Sequence, residues 1–189
     1  MTGPYIQKNS WKSFAHDGLE YDLTHLNEHE IQVLDSTNLE RRIAVTYSDH
    51  CFTRDRQLGD DPALTYPDSS RISSCFSFER HQHSLSLPKH INSIATSKAW
   101  NVDGQHFALL PPVINSDGDK VYYAIMFSLD PLKGLPIHLH MRIQTAHPRI
   151  AGSTINTYGF VSFPLLVSLR CQSKHPKKIY DRNRKRPNL

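Results

Sequence analysis

The residues with the clearest chemical potential lie in the segment from Pro136 to Thr145, where polar and apolar side chains alternate. Every second residue from Ile137 onward is apolar, and the residues between them include His138, His140 and Arg142. Because successive side chains of a β-strand point to opposite faces, this alternation predicts a half-buried strand. Two imidazoles and a guanidinium would then lie in a row on one face of a sheet.

This row of side chains suits acid–base chemistry on a phosphodiester. Imidazole titrates near neutral pH, so two histidines could supply a base for a ribose 2′-hydroxyl and an acid for the leaving oxygen. A guanidinium could hold the phosphate. A metal-independent ribonuclease needs these groups, so His138, His140 and Arg142 are the predicted catalytic residues. The alternative is the ordinary solvent face of an amphipathic strand, in a chain with 12 histidines.

A second group of candidates begins at the end of a predicted strand near residue 48. His50 lies where that strand enters a long loop, a common position for site residues, and it is a fourth catalytic candidate. Zinc is the one cofactor that we consider, because thiolate and imidazole are its preferred ligands. The spacing matches no established zinc motif, and there is no CxxC pair. The candidate metal ligands are Cys51, Cys75, His81 and His83.

The C-terminal segment is strongly basic. Seven basic residues and one acidic residue lie between positions 174 and 186, while the whole chain has a net charge of +4, so the remainder is slightly acidic. We predict a nucleic-acid partner, RNA in particular, with cations on phosphates and a tyrosine stacked on a base. A solvated, flexible tail is the alternative. The candidate contacts are Lys174, Lys177, Lys178, Tyr180, Arg182, Arg184, Lys185 and Arg186.

The bulk composition favours a small globular protein. A chain of 189 residues fits one domain. No apolar run approaches the ~20 residues that cross a bilayer, and the N-terminal residues lack the regions of a signal peptide. Three cysteines make a poor disulfide framework. We therefore expect a cytoplasmic location and no membrane partner.

Hydrophobic periodicity predicts an α+β fold. The patterns indicate a hairpin over residues 28–35 and 42–48, a helix over about 88–98, and strands over 105–110, 120–130 and 160–170. We expect an antiparallel sheet of five to six strands with one main helix packed on it. The predicted organisation is an irregular N-terminal arm (1–20), a single α+β domain (21–172) and a basic, flexible tail (173–189).

Four segments carry a resemblance to known proteins: Tyr21–Leu26 (YDLTHL), Tyr47–Arg54 (YSDHCFTR), the helix entry Leu87–Ile91 (LPKHI) and the strand Val121–Phe127. They resemble a group of small bacterial and mobile-element proteins with stress or stationary-phase names, over about residues 20–146. A Ser-Ala-Tyr ending of that group reads Thr145-Ala146-His147 here. The resemblance implies a bacterial or phage accessory protein and assigns no catalytic residue.

The sequence is compatible with three functions. The leading hypothesis is a small RNA-acting protein, a toxin-like metal-independent ribonuclease of a stress or phage-defence module. It draws on an analogy of layout with the ribonuclease toxins of toxin–antitoxin pairs, which implies an antitoxin or another protein partner. The alternatives are a non-enzymatic nucleic-acid or protein-binding module that uses the basic tail, and a zinc-stabilised structural domain.

Overall fold

A computed structural model describes residues 10–67, 74–102, 106–115, 117–134, 136–149 and 155–176 of the chain. The strands are β1 (Phe14–His16), β2 (Leu19–Tyr21), β3 (His29–Leu34), β4 (Glu40–Tyr47), β5 (Thr53–Asp55), β6 (Ser74–Phe76), β7 (Lys98–Asn101), β8 (Phe107–Leu109), β9 (Pro112–Ile114), β10 (Lys120–Pro131), β11 (Leu139–Pro148) and β12 (Phe160–Ser162). The α-helices are α1 (Phe78–Ser84), α2 (Leu87–Asn92) and α3 (Phe163–Cys171).

A curled, mostly antiparallel sheet of eight strands forms the centre of the fold. Its order is β12-β7-β8-β10-β11-β4-β3, and β9 pairs with β10 beside this path. The mixed α and β class is confirmed, but the predicted sheet of five to six strands is too small. The strands that the patterns did not predict are β7 and β9, with four and three residues, which is too short for a clear alternation. One pair, β4 with β11, is parallel.

The hairpin of β3 and β4 is confirmed, and a buried aspartate organises its turn. One carboxylate oxygen of Asp35 accepts hydrogen bonds from the backbone N–H groups of Thr37 (2.8 Å) and Leu39 (3.2 Å). The other accepts from Nε of Arg41 at 2.8 Å. Asn38 takes a left-handed conformation with a φ of 59°, which asparagine tolerates better than most residues. The turn residues therefore fix the register of the pair.

The main helix lies elsewhere in the chain than the periodicity predicted. The predicted helix at residues 88–98 is only α2, six residues long, followed by a short 3-10 turn. The longest α-helix among the described residues is α3, in the segment predicted as a strand over 160–170. Its buried residues include Phe163, Leu166, Val167 and Arg170, at the helical spacing i, i+3, i+4, i+7. Pro164 fits the first turn of a helix, where its missing N–H costs nothing.

The inner face of the sheet carries the main core. Tyr123, Ile125 and Phe127 of β10 are fully buried there, with Ile43 of β4 and Met141 of β11. On the outer face a smaller cluster joins Val102, Ala108, Ala124 and Ile155. This cluster covers only the part of the outer face near β8 and β10. The part over β11, β4 and β3 carries polar side chains instead.

The N-terminal segment contains regular structure within the described residues. β1 and β2 form a hairpin, and Phe14 stacks on Phe76 with ring centroids 4.2 Å apart. The predicted irregular arm over residues 1–20 therefore includes a strand from residue 14 onward. The domain limits themselves stay a prediction. Among the described residues, no helix has the length and apolar composition that crossing a bilayer requires.

We expect Asp35→Asn to lower the free energy of unfolding by about 2–4 kcal/mol, because it leaves the buried Arg41 contact and the turn donors poorly matched. Burial opposes ionisation of Asp35, yet hydrogen bonds from Thr37, Arg41 and Leu39 outweigh it and hold its pKa below the usual range. The stability that this carboxylate contributes is therefore present above about pH 4 and is lost as the pH falls further. Urea denaturation at pH 7 and pH 3 measures both effects.

The exposed Glu40 of the same hairpin provides the matched control. Glu40→Gln should change the unfolding free energy by less than about 0.5 kcal/mol. Equal losses in the two variants at pH 7 would contradict the assigned role of Asp35.

Candidate functional site

The predicted catalytic row lies on the outer face of the sheet. Leu139, Met141 and Ile143 are fully buried on the inner face, as the alternation predicts. His138 and His140 are partly exposed between them, and Arg142 is exposed. The structure therefore brings the three predicted side chains to one face, with Cα atoms of successive members roughly 6–7 Å apart. Their catalytic role stays a prediction.

His138 is held by the neighbouring strand in one tautomer. Its backbone N–H donates to the carbonyl oxygen of Arg42 at 2.9 Å, which extends the ladder between β4 and the entry to β11. The backbone N–H of Arg42 donates to Nδ1 of His138 at 3.0 Å. Because a backbone N–H can only donate, Nδ1 must be unprotonated in this arrangement. The neutral ring then carries its proton on Nε2 and presents a hydrogen-bond donor.

His140 is held in a different way and favours the neutral state. Its Nε2 lies 2.8 Å from Oγ1 of Thr46 on β4. Burial lowers the pKa of His140, the carboxylate of Asp130 on β10 raises it, and the cation of Arg142 lowers it again. In the tautomer whose Nε2–H donates to the threonine hydroxyl, Nδ1 carries the free lone pair. An imidazole of this kind is suited to accept a proton at neutral pH.

Two arginines on this face differ in their charge balance. Arg42 donates through Nε (2.6 Å) and Nη2 (2.8 Å) to the two carboxylate oxygens of Glu30, a bidentate pair. The Arg42 hydrogen bonds lower the pKa of Glu30. Arg142 lies opposite Ser128 and Thr46 and makes no ion pair with any described carboxylate. The uncompensated positive charge of the face is therefore at Arg142.

His50 lies away from the other predicted catalytic residues. It belongs to a 3-10 turn, Asp49–Cys51, directly after β4, and Ser48 is bonded to the carbonyl oxygens of Ile143 and Gln144. His138 pairs with Arg42, at the other end of β4. The five steps along the strand from Arg42 to Tyr47 span roughly 16 Å. The structure therefore places His50 at the opposite end of the strand pair from His138.

The candidate zinc ligands are not grouped. Cys51 is fully buried, and burial raises the pKa of its thiol to about 12, which disfavours the thiolate. Cys75 is buried in β6, Nε2 of His81 lies 3.0 Å from the carbonyl oxygen of Asp22, and His83 packs by Tyr123. Across the described ranges, no three His, Cys, Asp or Glu side chains are placed to hold a metal ion.

The basic tail lies almost entirely outside the described residues. Lys174 is described, and its Nζ donates to Oε1 of Gln172 at 3.0 Å. The remaining predicted contacts lie outside the described ranges: Lys177, Lys178, Tyr180, Arg182, Arg184, Lys185 and Arg186.

The inner side of the sheet holds a polar group that sequence reasoning missed. The rings of His83 and His90 lie 6.0 and 5.9 Å from the ring of Tyr123, whose buried hydroxyl has no hydrogen-bond partner among the described residues. Arg80 donates through Nη1 to the carbonyl oxygens of His50 (3.0 Å) and Thr53 (2.8 Å). Arg80 and His83 lie on α1, His90 lies on α2, and the tyrosine lies on a distant strand, so no spacing within one element identifies this group.

One further pair resembles catalytic machinery without being accessible. Nε2 of His25 lies 2.8 Å from Oγ of Ser84, but Ser84 is fully buried and also donates to the carbonyl oxygen of His81 at 2.7 Å. A serine that substrate cannot reach is not a nucleophile, so this pair anchors the turn at residue 25 to α1.

The fold and the outer face define a small α+β protein in which an extended sheet displays a polar surface of histidine and arginine. The chain belongs to the YjaZ family, which matches residues 13–171. The family match supports the predicted resemblance to a group of small bacterial proteins. It gives no support to the analogy with ribonuclease toxins. No curated protein and no solved structure gives a significant match to the chain.

We expect His147 to make stability depend on pH. Burial, followed by the cations of Arg80 and Arg149, lowers its pKa to about 4. Because the folded-state pKa lies below the unfolded value of about 6.5, the folded state is favoured fully above pH 6.5 and loses stability as the pH falls toward 4. Between pH 7 and pH 4, His147→Gln should therefore lose roughly 1–2 kcal/mol less unfolding free energy than the unsubstituted protein. This figure allows for the partial exposure of the ring.

Urea denaturation between pH 7 and pH 4 measures this change in slope, and an NMR titration of the ring measures the pKa directly. A slope in His147→Gln equal to that of the unsubstituted protein, or a ring that titrates near pH 6.5, would contradict the assignment.

Proposed function

We propose that the protein acts on RNA, and that the outer face of the sheet cleaves single-stranded RNA by metal-independent acid–base chemistry. The observation that carries this proposal is that three groups with different hydrogen-bonding and charge properties lie together on the outer face of β11 and its entry. His140 favours the neutral form, His138 presents an Nε2–H donor, and Arg142 is a cation without a described carboxylate partner. Base, donor and phosphate-binding cation are the parts that such a reaction needs.

The hydrogen bonds suggest a role for each residue. His140 takes the proton of the ribose 2′-hydroxyl at Nδ1, the 2′ oxygen forms a bond to phosphorus, and the bond from phosphorus to the 5′ oxygen breaks. Arg142 and the Nε2–H of His138 stabilise the charge that develops on the phosphoryl oxygens. Protonation of His138 at Nδ1 would break its bond from the N–H of Arg42. The proton for the leaving 5′ oxygen is therefore assigned to solvent, not to the second histidine.

A nucleic-acid-binding module without catalysis is the second candidate. It is favoured by the composition of the C-terminal segment, seven basic residues against one acidic residue over positions 174–186. Affinity of this kind falls steeply with salt, in proportion to the phosphates contacted. The toxin or defence context, an antitoxin partner and a cytoplasmic location stay predictions. Among the described residues, no group of side chains favours the zinc-stabilised alternative.

Labelled single-stranded RNA incubated with the purified protein tests the proposal. Cleavage should persist in EDTA. His140→Gln, whose amide can keep the contact with Thr46, should lower the rate at least ~100-fold by removing the base. His138→Asn keeps an acceptor for the N–H of Arg42 but lacks the Nε2 donor, and it should lower the rate about tenfold or more.

The pH dependence of the rate distinguishes this mechanism from a two-histidine acid–base pair, which would give a bell-shaped profile. A control variant accompanies this measurement. The rate should rise through the lowered pKa of His140 and then stay level, because no imidazolium acid is required. His16→Asn, in the β1–β2 hairpin, should cleave like the unsubstituted protein. RNA left intact in EDTA, or full activity in His140→Gln, would overturn the proposal. Intact RNA that is nevertheless retained with a steep salt dependence would favour the binding module.

A further inference from the structure

A cavity of about 240 Å³ lies at one edge of the fold, between the end of α2 and the strands β7 and β8. Its polar side is formed by His90 and Ser93 of the helical segment and by Lys98 of β7. Its apolar side is formed by Trp100 and by the segment Leu109–Pro111. The volume is slightly below the ~300 Å³ at which small-molecule pockets usually begin, which limits the occupant to a small group.

Two aromatic rings that are tilted relative to each other lie at this cavity, Trp100 in its wall and Phe160 next to Trp100. The ring of Trp100 lies 5.0 Å from that of Phe160 on the neighbouring strand, at an interplanar angle of 57°. Phe160 is 42% exposed, although it is a large apolar residue, and Trp100 is partly exposed. Exposed aromatic rings at the edge of a concave site favour flat ligands that can stack on them.

The charge of the cavity wall favours an anion. Nζ of Lys98 lies 4.7 Å from the centroid of the Phe160 ring and makes no ion pair with a described carboxylate. No acidic residue lines the cavity. Oγ of Ser93 donates to carbonyl oxygens of α2, at 3.1 Å from both Lys89 and His90. An ammonium without a carboxylate partner, next to an apolar wall, suits a ligand that carries one phosphate group and one flat ring.

We propose that this cavity binds a single nucleotide, with the base stacked on Trp100 and the phosphate held by Lys98. The ligand is either a free mononucleotide or one nucleotide of an RNA chain, because both present the same ring and phosphate. A dinucleotide cofactor would exceed the volume. The proposal goes beyond the cleavage reaction, since a nucleotide can be held here whether or not the outer face cuts RNA.

Tryptophan fluorescence provides a direct test. The chain has two tryptophans, and Trp11 packs edge-on against Phe52, 5.1 Å away, so Trp11→Phe leaves Trp100 as the only indole reporter. AMP should quench this signal, and calorimetry on the unsubstituted chain should give the same Kd. Adenosine, which lacks the phosphate, should bind about tenfold more weakly than AMP.

Lys98→Gln identifies the phosphate contact. It should weaken AMP about tenfold and leave adenosine unchanged, because only the phosphate interacts with the ammonium. Lys89→Gln, an exposed lysine on α2 that does not line the cavity, is the matched control and should bind AMP normally. His140→Gln should also bind AMP normally, so loss of cleavage and loss of nucleotide binding are separate results.

A short 2′-O-methyl oligoadenylate, which cannot be cleaved through its 2′ oxygen, distinguishes the two sources of the ligand. Tighter binding than AMP with the same dependence on Lys98 assigns the cavity to a nucleotide of a chain, and equal binding assigns it to a free nucleotide. The proposal is overturned if millimolar AMP neither quenches Trp100 nor releases heat. It is also overturned if Lys98→Gln weakens AMP and adenosine equally.

Discussion

The parallel pairing of β4 with β11 is the constraint on which the candidate site depends. These strands are separated by about half of the chain, and they meet with Leu139 opposite Ile43 and Ile143 opposite Tyr47. The pairing buries both apolar inner faces and places Thr46 beside His140. The same ladder, extended by the backbone of Arg42, supplies the donor that fixes the tautomer of His138. Without this pairing the two histidines would lie on a strand edge in contact with water, and neither would have its present hydrogen-bond partner on β4.

The strand that carries the site could be predicted from sequence, but its chemistry could not. The alternation of residues 137–144 identifies which side chains share a face, because the period of a strand is a local property. The hydrogen-bond partners of His138 and His140 are Arg42 and Thr46, which lie 96 and 94 residues earlier in the chain. Spacing within one segment carries no information about such partners. The sequence-based prediction of a matched acid and base therefore treated His138 and His140 as equivalent, whereas their partners on β4 make them different.

The mistaken element at residues 160–170 has a related physical cause. Alternating apolar residues satisfy a strand pattern, yet the same residues contain a helical stripe through Phe163, Leu166 and Val167, and the two patterns overlap over a short run. Leu165 decides between them, since a strand would bury it and the structure leaves it 40% exposed.

The cavity beside Trp100 was missed for another reason. Its walls come from α2 and the turn after it, from β7, and from the end of β8 with the two residues that follow, and none of these carries a motif alone.

The balance of charge on the outer face gives the strongest argument that the row is more than a solvated strand. A surface selected only for solubility would carry mixed charges that pair with one another, as Arg42 does with Glu30. Arg142 departs from this pattern, because its neighbours across both strands are the neutral hydroxyls of Ser128 and Thr46. Glu30 on β3 neutralises the charge of Arg42 on β4. Arg142 on β11 therefore stays available for an anion, next to the neutral imidazole of His140. An anionic substrate would therefore be drawn to the Arg142 end of the face, next to His140, and not spread along the sheet.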